Sequence, residues 1–197
     1  MRAFLVIGNK VVTRPFSLND LPGAGRMDIL CRCVSQSLLI SHGIRKDSEI
    51  YLMLLGEPEP SKVVRIVGSE VKNLAPDERN AAGLIRKALS MIVGSEWKRS
   101  SPGIYVVKKD LGSLLNELSK KYEIVYLRED GKDIRKVIKK LKDPLFVLGD
   151  HLGLKKADEE IVLEYTNLIV NVSSLSLQAD QCITIVNYEL DRIGNNF

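Results

Sequence analysis

Three stretches of this chain combine glycines with polar side chains where predicted strands end. They are residues 127–131 (Leu-Arg-Glu-Asp-Gly), 148–153 (Leu-Gly-Asp-His-Leu-Gly) and 171–178 (Asn-Val-Ser-Ser-Leu-Ser-Leu-Gln). Ligands of open parallel sheets bind beyond the carboxyl ends of the strands, and glycine lets the backbone approach a ligand closely. None of the stretches matches the dinucleotide fingerprint or the Walker lysine loop. The pattern therefore predicts a small-molecule site without support for a dinucleotide or ATP, and plain strand-to-helix turns are the competing interpretation.

The densest group of special residues lies at 20–28 and reads Asp-Leu-Pro-Gly-Ala-Gly-Arg-Met-Asp. Its glycines could present backbone N–H groups to an anion, and Arg26 could contact a phosphate or a base through its forked guanidinium. Asp28 could accept a proton. The alternative is that the glycines only shape a loop and that Asp28 favours the first turn of a helix.

Basic residues recur on two predicted helices. Arg79, Arg86 and Lys87 lie on a helix that begins near Pro76, and a lysine-rich helix is predicted over 134–141. Such faces could contact a phosphate backbone, although a solvated helix face is the commoner explanation.

The cysteines are Cys31, Cys33 and Cys182, an odd number that cannot form a disulfide framework. The Cys-x-Cys pair would point its thiols roughly 200° apart on a helix, which is poor zinc geometry, so we expect no metal site. Cys182 could act as a nucleophile only with His151 as its base, and a buried, inert thiol is the usual case.

Strands and helices alternate along the chain that positions these groups. Apolar runs predict strands over 2–7, 49–55, 63–67, 104–107, 124–127, 145–148 and 168–172, with helices over 26–42, 76–92, 111–121, 134–141, 158–165 and 179–193. This order is typical of an α/β domain with a largely parallel sheet.

The composition agrees with a globular chain: 197 residues, 45% hydrophobic, 27% charged, and a net charge of +4. No apolar run reaches the roughly 20 residues of a membrane span, and the N-terminus lacks a signal-peptide pattern. We therefore expect a soluble, cytoplasmic protein without a membrane partner.

Several segments together resemble one enzyme family. They are 21–29 (Leu-Pro-Gly-Ala-Gly-Arg-Met-Asp-Ile), 41–45 (Ser-His-Gly-Ile-Arg), 76–79 (Pro-Asp-Glu-Arg), 101–104 (Ser-Pro-Gly-Ile), 148–151 (Leu-Gly-Asp-His) and 173–182. In order and spacing they resemble the archaeal tRNA pseudouridine N1-methyltransferase family (TrmY), which belongs to the SPOUT methyltransferases. The resemblance covers essentially the whole chain.

The resemblance implies an α/β, parallel-sheet SPOUT fold in a single domain of residues 1–197, with a C-terminal deep trefoil knot over about 120–197. It implies S-adenosylmethionine (SAM) as cofactor, a homodimer, and pseudouridine 54 in the T-loop of tRNA as the target. Carried over by position, the cofactor-binding residues would be Leu127, Gly149, Val172, Ser173, Ser174, Leu175, Ser176, Leu177 and Cys182.

Related ribosomal-RNA pseudouridine N1-methyltransferases carry an Arg-x-Asp sequence, which Arg26-Met27-Asp28 resembles, and an Arg-rich stretch, which the segment around Arg79 resembles. This implies that Asp28 accepts or orients the N1 proton, with Arg26 beside it, and that Arg26, Arg79 and Arg86 hold the RNA. Two alternatives stay open. One is a SPOUT methyltransferase acting on a ribosomal pseudouridine or a ribose 2′-hydroxyl; the other is a non-catalytic RNA-binding or assembly module.

Overall fold

The centre of the structure is an eight-stranded sheet, described by a computed structural model for residues 1–194. The predicted single domain of 1–197 thus includes residues 195–197, which lie outside the described part. The strands are β1 (Arg2–Gly8), β2 (Leu39–Ile40), β3 (Gly43–Ile44), β4 (Ser48–Leu54), β5 (Lys62–Val67), β6 (Lys98–Ser101), β7 (Ile104–Lys108), β8 (Glu123–Asp133), β9 (Pro144–Gly149) and β10 (Ile169–Asn171). The helices are α1 (Met27–Leu38), α2 (Glu78–Leu89), α3 (Leu111–Leu118), α4 (Ile134–Val137), α5 (Lys156–Tyr165) and α6 (Ala179–Gly194).

The strands of the large sheet follow the order β10-β8-β9-β1-β4-β5-β7-β6, and β2 pairs separately with β3. The strands β10, β8, β9, β1 and β4 are parallel to one another, which confirms the α/β fold with a largely parallel sheet. The strands β5, β7 and β6 extend it with antiparallel pairs. A short connection between β4 and β5 permits only antiparallel pairing, because a parallel return needs a longer crossover.

The sheet is buried on both faces. On β1, Phe4 and Val6 join one core cluster, and Leu5 and Ile7 join the other. Helices α1, α2 and α6 cover the first face, and α3 and α5 cover the second. A strand covered on both faces needs apolar residues at successive positions, which explains the unbroken apolar run that begins this chain.

The strand β8 is interrupted beside β10. Ile169 pairs with Tyr126, but the next residue, Val170, pairs with Lys132, so residues 127–131 leave the ladder. The backbones of β8 and β10 stay close at Gly131. A Cβ on Gly131 would lie only 2.5 Å from the Val170 nitrogen. The Asn171 side-chain amide also donates to the Gly131 carbonyl oxygen at 2.6 Å. The sequence predicted a plain strand over 124–127 and did not predict this excursion.

Several helix and strand predictions differ from the structure. The helix predicted over 26–42 ends at Leu38, because Leu39–Ile40 and Gly43–Ile44 form the antiparallel pair of β2 and β3. Helix α2 ends at Leu89, and Ile92, which was predicted as its last apolar residue, is 92% exposed. The predicted helix over 134–141 has α-helical geometry only to Val137 and continues as a 3-10 turn over 138–140. Strand β6 was not predicted, because Lys98-Arg99-Ser100-Ser101 forms a polar edge strand without apolar periodicity.

Candidate active site

A cavity of about 390 Å³ lies at the carboxyl end of the parallel strands. Its walls come from β8 where it leaves the ladder, from the end of β9, from β10 and the loop 172–178, and from the first turns of α6 and α1. Small-molecule sites span roughly 300–1,000 Å³ and occur at this edge of α/β sheets. The cavity thus lies where the three strand-end stretches of the sequence converge.

The residues predicted to hold the cofactor line this cavity, with the exception of Ser174. Those that line it are Leu127, Gly149, Val172, Ser173, Leu175, Ser176, Leu177 and Cys182. Tyr126, Leu148 and Ile29 add further apolar surface, and Arg26, Glu129 and His151 add polar groups. A wall of this kind suits a ligand that has an apolar part, hydroxyl groups and charge.

The loop 149–153 is shaped by glycine and by a buried carboxylate. A Cβ on Gly149 would lie 2.4 Å from the carbonyl carbon of Gly153, so a larger residue would push the loop out of place. The Asp150 carboxylate accepts hydrogen bonds from the backbone N–H of Asn9 at 2.8 Å and from the backbone N–H of Leu152 at 2.9 Å. The Asn9 side chain donates to Asp150 Oδ1 at 2.9 Å and to the Gly153 carbonyl at 2.8 Å. This cavity wall is therefore pinned to the end of β1.

A carboxylate also joins two other walls of the cavity. Glu129, in the excursion of β8, accepts a hydrogen bond from the Ser176 hydroxyl at 2.8 Å. This hydrogen bond is the largest cause of a pKa of Glu129 below its ordinary value. Glu129 is therefore ionised at neutral pH and supplies negative charge inside the cavity.

The thiols carry no activated chemistry. Burial is the main cause that raises the pKa of Cys182 to about 11 and that of Cys31 to about 12, and burial likewise raises the pKa of Cys33. A protonated thiol is a poor nucleophile, so the geometry favours the inert role for Cys182. Residues 1–194 contain no group of three or more His, Cys, Asp or Glu side chains arranged to hold a metal ion. None of the described helices is long and apolar enough to cross a membrane.

Arg26 and Asp28 form a bidentate pair at the start of α1. The Arg26 guanidinium donates from Nε to Oδ1 and from Nη2 to Oδ2 of Asp28, both at 3.0 Å, and Arg32 donates to Oδ2 at 3.2 Å. Burial opposes charge on Asp28, but the hydrogen bonds and charges of Arg26 and Arg32 outweigh it and lower its pKa. Arg26 lines the cavity, whereas Asp28 lies behind it and does not.

Arg26 is held in an uncommon backbone conformation. Its φ of 71° lies in the left-handed region, which few residues other than glycine adopt. The Arg26 N–H donates to the Pro22 carbonyl at 2.9 Å, and Gly25 before it also has a positive φ, of 76°. The glycine-rich stretch therefore turns the chain sharply, so that the guanidinium reaches the cavity.

The other arginines predicted to hold RNA lie outside the cavity. Arg79 donates from Nη2 to the side-chain oxygen of Asn19 at 2.7 Å, and this contact ties α2 to the loop after β1. Arg86 lines a separate open groove of about 820 Å³, between that loop and α2. We refer to this depression, lined by residues of 12–24 and 83–90, as the basic groove.

Two residues at the site were not predicted from the sequence. Asn9 binds Asp150, and Ile29 contributes apolar surface to the cavity. A polar residue directly after a buried strand is a weak indication of a strand-end site, which could have marked Asn9. Ile29 is indistinguishable in sequence from the core residues of α1.

Comparisons with known proteins agree on one family. Residues 1–195 match the family described as "Putative SAM-dependent RNA methyltransferase". The chain is 48% identical over 194 residues to a tRNA (pseudouridine(54)-N(1))-methyltransferase of Methanosarcina acetivorans, covering 98% of this chain and 92% of the relative. It is 45% identical over 195 residues to the protein of the same name from Methanococcoides burtonii, covering 98% and 96%.

A solved structure shares the fold. The Archaeoglobus fulgidus Nep1 structure, bound to S-adenosylhomocysteine, superimposes with a TM-score of 0.68 over 98% of each chain, at 14% sequence identity. At this identity the likeness concerns the fold, and the arrangement of strands and helices described above is therefore one already found in a solved protein.

Proposed function

This chain belongs to the SAM-dependent RNA methyltransferase family, and on that basis we propose that it methylates N1 of pseudouridine 54 in tRNA with S-adenosylmethionine as the methyl donor. The observation that carries the proposal is the strand-end cavity, because it joins the residues expected to hold the cofactor with Arg26, the residue expected to meet the target. Near-complete coverage of relatives named for this activity supports the substrate.

The cavity fits S-adenosylmethionine by the chemistry of its wall. Leu127, Leu148 and Leu177 offer apolar surface to an adenine ring, and Glu129 offers a carboxylate to hydroxyl or ammonium groups. Gly149 lines the cavity, and its lack of a side chain lets the loop 149–153 fold closely against it. We assign cofactor contacts to Leu127, Gly149, the stretch 172–177 and Cys182, with Ser174 acting only through the loop that it belongs to.

We also assign a trefoil knot to the C-terminal part, from about residue 120. The supporting observation is the path of β10, which runs beside β8 at Tyr126 and again at Lys132 while residues 127–131 bulge away between them. The chain passes this excursion in β10 and then continues into α6. Threading of the chain through a knot would require close backbone contacts of this kind. We treat residues 1–197 as a single domain, because both faces of one sheet carry the core.

Pseudouridine offers a free N1–H because its sugar is attached through carbon. When bound, S-adenosylmethionine supplies an electrophilic methyl group that already has a good leaving group, so the protein mainly has to align the reacting atoms. The Arg26 guanidinium lies at the cavity and would hold the flipped nucleotide or its phosphate. Asp28 fixes Arg26 and supplies an ionised carboxylate behind it.

The role of Asp28 follows from its partners. A carboxylate whose oxygens already accept from Arg26 and Arg32 is a weak base, and Asp28 does not line the cavity. We therefore favour Asp28 as the residue that orients Arg26 and, through its charge, the N1 proton, which N1 loses to water when it is methylated. The alternative within the same proposal is that Asp28 accepts the N1 proton directly.

We propose a homodimer in the cytoplasm. Ile40 on β2 and Tyr188 on α6 are 50% and 54% exposed, and α6 packs against α1, the helix that β2 directly follows. Exposed apolar surface of this kind favours a second subunit. A tRNA substrate and free cysteines agree with the cytoplasm. Sedimentation velocity tests the dimer: Tyr188→Glu should yield monomer, and a variant that sediments like wild type would contradict this surface.

Methyl transfer to two matched tRNAs tests the function. One carries pseudouridine and the other uridine at position 54, and labelled S-adenosylmethionine is the donor. Label on the pseudouridine tRNA alone is the expected result. Equal label on both would contradict N1 chemistry and point to a ribose or another base.

A further inference from the structure

The basic groove is distinct from the cofactor cavity and has the chemistry of a nucleotide-binding surface. Arg14, Arg86 and Lys87 line it together with Phe16. Among residues 1–194, Arg14, Arg86 and Lys87 form no ion pair, so no acidic side chain neutralises their charges. Asp20 also lines the groove and accepts a hydrogen bond from the Gly23 N–H at 2.9 Å, and its one negative charge leaves the positive charges of Arg14, Arg86 and Lys87 in excess.

The floor of the groove is kept open by glycine inside a helix. Gly83 lies in the middle of α2, where glycine is unfavourable. A Cβ built at Gly83 would meet no atom within 4 Å. Packing therefore does not require glycine here, whereas a larger side chain at this position would occupy the groove.

The opposite wall is fixed and offers an aromatic ring. Phe16 is partly buried against the core, and its remaining surface lines the groove. Arg79 holds this loop against α2 through its hydrogen bond to Asn19. Aromatic rings combined with cationic side chains are the usual platform for unpaired nucleotides, because every base can stack and every nucleotide carries a phosphate.

The groove and the cavity are neighbours along one loop. Ala24 lines the groove and Arg26 lines the cavity, so their Cα atoms are at most about 7.6 Å apart. An RNA strand with one nucleotide at Arg26 can therefore place an adjacent nucleotide in the basic groove.

From these contacts we propose that the basic groove binds an unpaired nucleotide of the tRNA next to the methylated one, with its base on Phe16 and its phosphates at Arg14, Arg86 and Lys87. This inference rests on the proposed function for the identity of the RNA. It assigns Arg86 to a second subsite and gives Arg79 the role of holding the wall of that subsite.

Direct binding of tRNA at several salt concentrations tests the charges. Arg86→Gln and Lys87→Gln should each weaken binding and reduce the slope of log affinity against log salt by about 0.7, the value for one single-strand phosphate contact. Lys120→Gln is the matched control. It removes an exposed lysine beyond the end of α3, which covers the other face of the sheet, and should leave the slope unchanged.

Filling the groove tests the shape. Gly83→Leu should lower tRNA affinity about tenfold or more, whereas Gly83→Ala, which adds only a methyl group in open space, should bind like wild type. Thermal melting and calorimetric affinity for S-adenosylmethionine, both expected to be retained, establish that each variant is folded. If folded Gly83→Leu, Arg86→Gln and Lys87→Gln all bind tRNA with the wild-type affinity and slope, the groove proposal is wrong.

The same set of experiments separates this proposal from the proposed function. If the wild-type protein methylates neither tRNA but the groove variants lose tRNA affinity, the reaction assignment fails and the groove stands. If the wild-type protein methylates only the pseudouridine tRNA while the groove variants bind and methylate it equally well, the groove alone is overturned.

Discussion

Arg26 and Asp28 face each other through two hydrogen bonds of 3.0 Å, although only the guanidinium reaches the cavity. Arg26 has a left-handed backbone conformation at the end of the glycine-rich turn, and Asp28 lies in the first turn of α1. In the function that we propose, Arg26 is the group that meets the substrate, and its hydrogen bonds to Asp28 determine where the guanidinium points. Charge-assisted pairs of this geometry are both directional and strong.

Asp28→Asn should reduce kcat about tenfold to a hundredfold and leave the affinity for S-adenosylmethionine unchanged. The variant keeps one oxygen acceptor for Arg26 but loses the negative charge of the carboxylate. A hydrogen bond to a charged group contributes about 1.5–3 kcal/mol, which corresponds to the expected loss of rate. Single-turnover kinetics across pH 5–9 measure it. A loss above about 10³-fold would instead identify Asp28 as the proton acceptor.

Gly149→Ala should abolish measurable cofactor binding while the protein stays folded. The new methyl group would lie 2.4 Å from the Gly153 backbone, so the loop 149–153 must move into the cavity or away from it. Calorimetric titration with S-adenosylmethionine checks this. Gly94→Ala is the control, because a Cβ there meets nothing within 4 Å, and it should bind like wild type.

Cys182 should react slowly with iodoacetamide at pH 8. A pKa of about 11 leaves roughly one thiol in a thousand ionised, since each pH unit below the pKa is a factor of ten. Mass spectrometry of the labelled chain measures the rate, and the same chain in denaturant should react at the rate of an ordinary thiol. Rapid labelling of the folded protein would show that the thiol is activated.

Stability should fall in acid through Asp191, which joins α6 to the rest of the fold. Burial opposes its charge, but hydrogen bonds from Arg45 at 2.6 Å and Arg2 at 2.7 Å lower its pKa. A carboxyl with a lowered folded pKa stabilises the protein above its unfolded pKa of about 3.9 and loses that contribution as pH falls through the folded value. Asp191→Asn should therefore melt lower than wild type at pH 7, with a smaller difference near pH 2.5. Thermal melts at both values check this, and an equal difference at both would contradict it.

Gly83→Ala should raise the free energy of unfolding by about 0.5–1 kcal/mol. The position lies inside α2, and the added methyl group meets no neighbour, so only the cost of glycine in a helix is removed. Urea denaturation with an unchanged m-value measures it. A lower free energy of unfolding for Gly83→Ala would contradict this prediction and would mean that contacts elsewhere determine the shape of α2.

The sequence alone determined most of the strands and helices in chain order, the largely parallel sheet, and the three loops that could bind a ligand. Apolar periodicity and glycine placement are local properties, so they can be read without tertiary contacts. They also located the Arg26–Asp28 segment as a place where chemistry could occur.

Only the tertiary structure decided which groups face the cavity. The excursion of β8 at 127–131 depends on β10, a strand far along the chain, and the link from Asn9 to Asp150 spans most of the protein. The separation of roles between Arg26 at the cavity, Asp28 behind it and Arg86 in the basic groove depends on how α1 and α2 pack on the sheet. Side-chain direction is fixed by such long-range packing, and residue spacing along the chain carries no record of it.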